Sequence, residues 1–187
     1  LLDFDAASED LTSAIELDPG FASAYHYRGL AYTKKGELEM ARDGTTEVDP
    51  ELVNLAIADY TRALELNSNL VNVYVDRGVA YGRLEDYESA LLDFNRAVEM
   101  APDFAEGWYA RGMLYQEQGE YDLAIADYDR ALAINAEHVM ALVNRGSAYF
   151  TTGETEKAVE DLNRALELDP SNYLARQLLD LAQDSTQ

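Results

Sequence analysis

Residues 108–134 decide the fold. They run Trp108-Tyr109-Ala110-Arg111-Gly112-Met113-Leu114-Tyr115, then break at Gln118-Gly119-Glu120. After the break Tyr121, Ala124, Ile125, Tyr128, Ala131, Leu132 and Ile134 follow at helical spacing. Large residues recur three and four apart on both sides of the break, which is the period of a helix and not of a strand. Two amphipathic helices joined by a short glycine turn make an antiparallel pair. Glycine and alanine at the inner positions leave little side chain, so the two backbones can approach closely while the aromatic residues fill the space around them.

The same stretch recurs along the chain. Arg-Gly dipeptides stand at Arg28-Gly29, Arg77-Gly78, Arg111-Gly112 and Arg145-Gly146, the last three 34 residues apart and the first gap 49. Ala63, Ala97, Ala131 and Ala165 keep the 34-residue step, as do Ala56, Ala90, Ala124 and Ala158, and so do Asp59, Asp93, Asp127 and Asp161. A fixed period of this length marks an array in which each unit buries its apolar face against a neighbour.

The unit resembles the tetratricopeptide repeat. The family's bulky-x-x-large-Gly-x-x-Tyr pattern is met by Tyr25 to Tyr32, Tyr74 to Tyr81, Trp108 to Tyr115 and Leu142 to Tyr149. Its second-helix alanine and aromatic are met by Ala56 with Tyr60, Ala90 with Phe94 and Ala124 with Tyr128, while Leu11 and Leu162 take the aromatic place in the outermost units. Its closing proline stands at Pro19, Pro102 and Pro170, with Ser68 and Ala136 in its place elsewhere. The resemblance implies an all-α fold, an α-solenoid in which antiparallel helix pairs wind into a right-handed superhelix.

Registering the columns divides the chain. Residues 1–21 form the second helix of a truncated unit, and units follow over 22–70, 71–104, 105–138 and 139–172. Residues 173–187 are expected to be a closing helix and tail, with Tyr173, Leu174, Leu178, Leu179 and Leu181 covering the last unit and Arg176, Gln177 and Asp180 facing water. The uncovered first helix suggests a longer parent protein. About 15 extra residues lie within 36–50, read as a solvated insertion with a turn at Asp43-Gly44. Asp49-Pro50 then reads as the cap and first-turn proline of the helix through Leu66. The acidic set Asp43, Glu47, Asp49 and Glu51 lacks the alternating order of a calcium loop, so no metal is expected there.

Composition narrows the function. The 187 residues are 48% hydrophobic and 27% charged, ordinary for a globular protein. Thirty-six acidic residues against 14 basic ones give a net charge of −22, which repels phosphate backbones and anionic lipid, so neither nucleic acid nor direct membrane binding is expected. No stretch is long and apolar enough to span a bilayer. The absence of cysteine removes disulfides, thiolate nucleophiles and Cys-type zinc sites but leaves the compartment open, with a cytoplasmic location the first expectation. His26 and His138 lie in different units, no serine sits in a nucleophile elbow and no Gly-rich phosphate loop is present, so the chain reads as neither an enzyme nor a cofactor protein.

The family usually has a large apolar residue where Arg28, Arg77, Arg111 and Arg145 stand. Each second helix carries an acid, namely Asp10, Asp59, Asp93, Asp127 and Asp161, so each Arg is expected to reach an Asp of an adjacent helix and form a ladder of partly buried pairs. Arg62, Arg96, Arg130 and Arg164 follow the last four acids by three residues and share their helix face.

The resemblance further implies that the first helices of successive units line a concave face. Carried over position by position, its residues are His26 and Leu30, then Asn72, Val75, Val79 and Arg83. Tyr109 and Met113 follow, then Met140, Val143 and Phe150. This apolar, Met-containing strip inside an acidic molecule suits a peptide or helix with apolar side chains and basic flanks. A clamp for a terminal carboxylate, as some family members have, is not expected, because the corresponding positions are mostly apolar. The expected function is a non-catalytic protein-interaction module. The alternative is a structural or self-associating scaffold, or the repeat region of a larger multidomain protein.

Overall fold

The computed structural model describes residues 3–45 and 48–184, and among them it contains ten helices and no strand. Helix α1 is Phe4–Leu17, α2 Ala22–Asp43, α3 Pro50–Leu66, α4 Val71–Arg83 and α5 Tyr87–Met100. Helix α6 is Ala105–Glu117, α7 Tyr121–Ile134, α8 Val139–Thr151, α9 Thr155–Leu168 and α10 Tyr173–Asp184. The helices form an all-α solenoid of antiparallel pairs, α2 with α3, α4 with α5, α6 with α7 and α8 with α9. They make two compact units, residues 1–100 and 101–187. No helix of the described residues is long and apolar enough to cross a membrane.

Both kinds of turn follow from local chemistry. First helices end on a left-handed residue, Gly119 at φ 78° and Gly153 at φ 85°, which lets the amides of Glu120 and Glu154 return to the carbonyls of Tyr115 and Tyr149 at 2.8 Å. Glu85 takes the same place at φ 60° without glycine's freedom. The second helices α1, α3, α7 and α9 end on an Asx turn, in which the side chains of Asp18, Asn67, Asn135 and Asp169 accept the amide two residues on at 3.0–3.1 Å. That acceptor is present whether or not proline follows, so Ser68 and Ala136 serve as well as Pro19 and Pro170.

The extra residues begin as helix. Helix α2 runs 22 residues where α4, α6 and α8 run 13, so 36–43 of the insertion form two further turns of helix, which end at the expected turn of Asp43-Gly44. Its good helix formers carry it on to Gly44, a left-handed cap at φ 65°. Asp49 caps α3 through the Glu51 amide at 2.8 Å, with Pro50 in the first turn. Asp43 thus ends one helix and Asp49 starts another, while Glu47 lies outside the described residues.

Each pair packs at its glycine. A Cβ on Gly29 or Gly78 would sit 2.6 Å from the rings of Tyr60 or Phe94, on Gly112 2.8 Å from Tyr128, and on Gly146 2.9 Å from Leu162. Beside each glycine its arginine reaches across to the second helix. Arg28 grips Asp59, Arg77 grips Asp93, Arg111 grips Asp127 and Arg145 grips Asp161, each through two parallel bonds of 2.6–2.8 Å. All four acids are buried. The aromatic columns hold the guanidinium planes: Arg111 lies over Trp108 at 5.0 Å and Tyr115 at 5.8 Å, and Arg77 over Tyr74 and Tyr81 at 5.9 Å each. Arg62, Arg96 and Arg164 pair instead with Glu65, Glu99 and Glu167 one turn on, because the Asp before each is already taken.

Helix α10 closes its unit on a narrow stripe. Ala175, Leu179 and Ala182 are buried and Leu178 packs against the core, while Arg176, Gln177 and Asp180 face water as expected. Tyr173, Leu174 and Leu181 do not cover the unit: they are 72%, 46% and 56% exposed, because small Ala175 and Ala182 lie in the contact.

Candidate functional site

In the first unit the candidate face is carried by α2 and α4. His26 is not a free surface group. It is buried, its Nε2 lies 2.7 Å from Asp76 Oδ2, and its ring stacks on Tyr27. Leu30 packs partly against the core around Tyr60, and burial pushes the Tyr60 hydroxyl pKa up. Asn72 is exposed, Val75 half-buried and Val79 exposed. Arg83 is half-buried and bound to Glu37 of α2, which Lys34 also grips at 2.6 Å. Burial raises the Glu37 carboxyl pKa, but the bonds from Lys34 and Arg83 outweigh it and hold the group below the ordinary carboxylate value. A depressed carboxylate stabilises the fold above its unfolded pKa, and that stability is lost as pH falls through the folded pKa. Glu37→Gln is therefore expected to flatten the acid limb of the unfolding midpoint against pH, read by circular dichroism; an unchanged slope would show the cluster to be idle.

In the second unit the face is carried by α6 and α8. Tyr109 is half-buried, 4.6 Å from the His138 ring and 6.0 Å from Tyr128, and its hydroxyl accepts a 3.2 Å bond from Asn144. Burial pushes the Tyr109 hydroxyl pKa up. The Tyr128 hydroxyl donates to Gln116 at 2.9 Å. Met113 and Phe150 are half-buried and Met140 is 43% exposed. Val143 offers a partner nothing: it is 0% exposed and lies in the core with Leu142 and Leu179.

One geometric reason covers His26, Tyr109 and Val143. They occupy the same place in three of the four complete units, the place Val75 takes in the other, at the seam between one first helix and the helix after the next. Across the seam His26 meets Asp76 and Tyr109 meets Asn144, while Val143 shares an apolar cluster with Leu178, and all three partners are one residue further on in the next unit. Asp76 and Asn144 were missed from the sequence, although the 34-residue register places both in one column directly after the one chosen.

Among the described residues no group of three or more His, Cys, Asp or Glu side chains is placed to hold a metal ion. An open hollow between α1 and the extension of α2, lined by Phe4, Leu38 and Arg42, is flanked by the Lys35–Asp5 ion pair at 2.6 Å.

Two family models, each described as tetratricopeptide repeat, match the chain, one over residues 75–136 and 109–173 and the other over 11–43. No curated protein matches. Among solved structures, MamA superposes with a TM-score of 0.73 at 24% identity, over 90% of each chain. YrrB, a repeat protein of this kind with an unusual peptide-binding site, gives 0.68 at 25% identity over 93% of this chain and 82% of its own. The first repeat domain of Spaghetti (RPAP3), bound to the HSP90 peptide SRMEEVD, gives 0.62 at 25% identity over 64% of this chain and 95% of its own.

Proposed function

Since this chain belongs to the tetratricopeptide-repeat family, a family of protein-interaction modules, we propose that it binds a protein segment along its first helices and catalyses no reaction. The observation that carries the reading is the second unit's α6 and α8 face. There Met140 stands 43% exposed, and Met113, Tyr109 and Phe150 remain only half covered. Flexible thioethers beside aromatic rings accept varied apolar side chains. Asn144 and Gln116, already tied to tyrosine hydroxyls, add polar groups of fixed orientation. YrrB and the Spaghetti domain each have a peptide site, which supports a peptide or a helix as the ligand here.

The partner's chemistry follows from the face. Apolar side chains match the methionines, and basic flanks match a molecule of net charge −22. The first unit has a smaller apolar surface of its own at Val75 and Val79, while Arg83 is already committed to Glu37. A peptide selected from a display library against the whole chain should weaken at least about tenfold with Met113→Ala and Met140→Ala together. Unaltered affinity with an intact circular dichroism spectrum would place the ligand elsewhere.

A further inference from the structure

The exposed leucines of α10 stand in the columns of the α6 and α8 face. The 34-residue register puts Leu174 in one column with Met140 and Glu106, and Leu181 in one column with Ser147 and Met113. Helix α8 touches α6 across the Tyr109 and Asn144 bond, and α10 across the cluster that holds Val143 and Leu178. It meets α9 through other places, Arg145 and Gly146, which Leu179 and Asp180 take in α10. Leu174 and Leu181 therefore belong to this face whatever packs on α10 next. The three helices differ in chemistry. Helix α6 brings the exposed carboxylates of Glu106 and Glu117, neither in an ion pair among the described residues, and partial desolvation raises the Glu117 carboxyl pKa. Helix α8 brings Met140, and α10 brings Leu174 and Leu181, with its acid Asp184 apart at the far end.

We propose that the row Glu106, Met140 and Leu174 reads an extended segment of another protein in a fixed register. A lysine or arginine lies on Glu106, one large apolar residue on Met140 and a second on Leu174. The proposal rests on α6 and α8 being the binding face, and it adds α10 as the third helix of that face and a direction across it. Charge complementarity sets the direction, because the unpaired carboxylates are on α6 and the row turns apolar toward α10. Geometry sets the spacing. Packed helices lie about 8–10 Å apart, and an extended chain covers that in about three residues. The segment is then a cation, two residues, an apolar side chain, two residues and another apolar side chain. A helical partner would need about six residues for each step, at roughly 1.5 Å rise per residue. A cation placed between the two apolar residues would instead meet Met140, which offers it no acceptor of comparable strength.

The probe is the blocked peptide Lys-Ser-Ser-Leu-Ser-Ser-Leu, titrated into the labelled whole chain by NMR, with its isomer Leu-Ser-Ser-Lys-Ser-Ser-Leu as the control. The first peptide should shift the amides of Glu106, Met140 and Leu174 and bind about tenfold more tightly than the isomer. Leu174→Ser should weaken the first peptide by roughly tenfold, the loss of one buried leucine contact. Glu106→Gln should bring the two peptides closer in affinity. Both residues are exposed, so neither change should move the unfolding midpoint of the free chain. Equal affinity for the two peptides, or indifference to Leu174→Ser, would overturn the register and leave the α6 and α8 face standing. Absence of shifts on α6 and α8 at about 1 mM peptide would overturn the face and the register together. Tighter binding of a helical peptide with the longer spacing would overturn the extended occupant.

Discussion

Gly78→Leu should destabilise the first unit by about 3 kcal/mol, at the upper end of what overpacking a close contact costs. Even the first carbon of a new side chain would sit 2.6 and 2.8 Å from the Phe94 ring. Phe94 is 3% exposed and its ring cannot bend aside, so either α4 lifts from α5 or the ring leaves its site. The control lies one turn away. A Cβ on Gly82 would meet nothing within 4 Å, so Gly82→Ala should stabilise α4 by about 0.5–1 kcal/mol through helix propensity alone. Adding Phe94→Ala to Gly78→Leu should restore part of the loss by exchanging the volumes across the contact. Urea unfolding followed by circular dichroism reads all of these. Gly78→Leu no worse than Gly82→Leu would mean that close approach is not what the glycine column secures.

Arg111→Met should cost about 3–5 kcal/mol, the range for removing one partner of a buried ion pair. The loss comes less from the missing attraction than from what remains. Asp127 is 4% exposed and would keep a carboxylate in the core with its two shortest bonds gone. Arg111→Met with Asp127→Leu should recover most of the stability, since an apolar pair of similar volume avoids both desolvations. A single variant that melts with the wild type at pH 7 would reduce the ladder to ornament.

The ladder was legible in the sequence because both partners sit in columns fixed by packing. Each arginine adjoins the glycine that sets the helix approach, and its acid lies 16 residues on, three units out of four. The seam between first helices was not legible, because its position depends on the angle between neighbouring pairs and not on the pattern inside one. Apolar character at Val143 therefore read as groove lining, while the polar residues that bridge the seam, Asp76 and Asn144, drew no notice. Helix α10 misled in another way. Counting its leucines pointed to a wide buried face, but Ala175, Leu179 and Ala182 at four- and three-residue steps fill the contact and leave Leu174 and Leu181 outside. The residues after Gly36 read as a solvated insertion with a turn at Asp43-Gly44, and they form helix up to that turn, since a helix already anchored by its first four turns needs no apolar stripe to extend.

The lengthened α2 also sets an order of events in time. Three of the four locks close a span of 16 residues, but Arg28 must find Asp59 across 31. Nearly doubling the span adds about 0.6 kcal/mol of chain entropy to the first encounter, a slowing of roughly threefold if closure limits the rate. Pairs with short spans nucleate first, and helical arrays with local contacts are quick to do so. The α2 and α3 pair is then the last to zip, and it closes onto neighbours that have already formed.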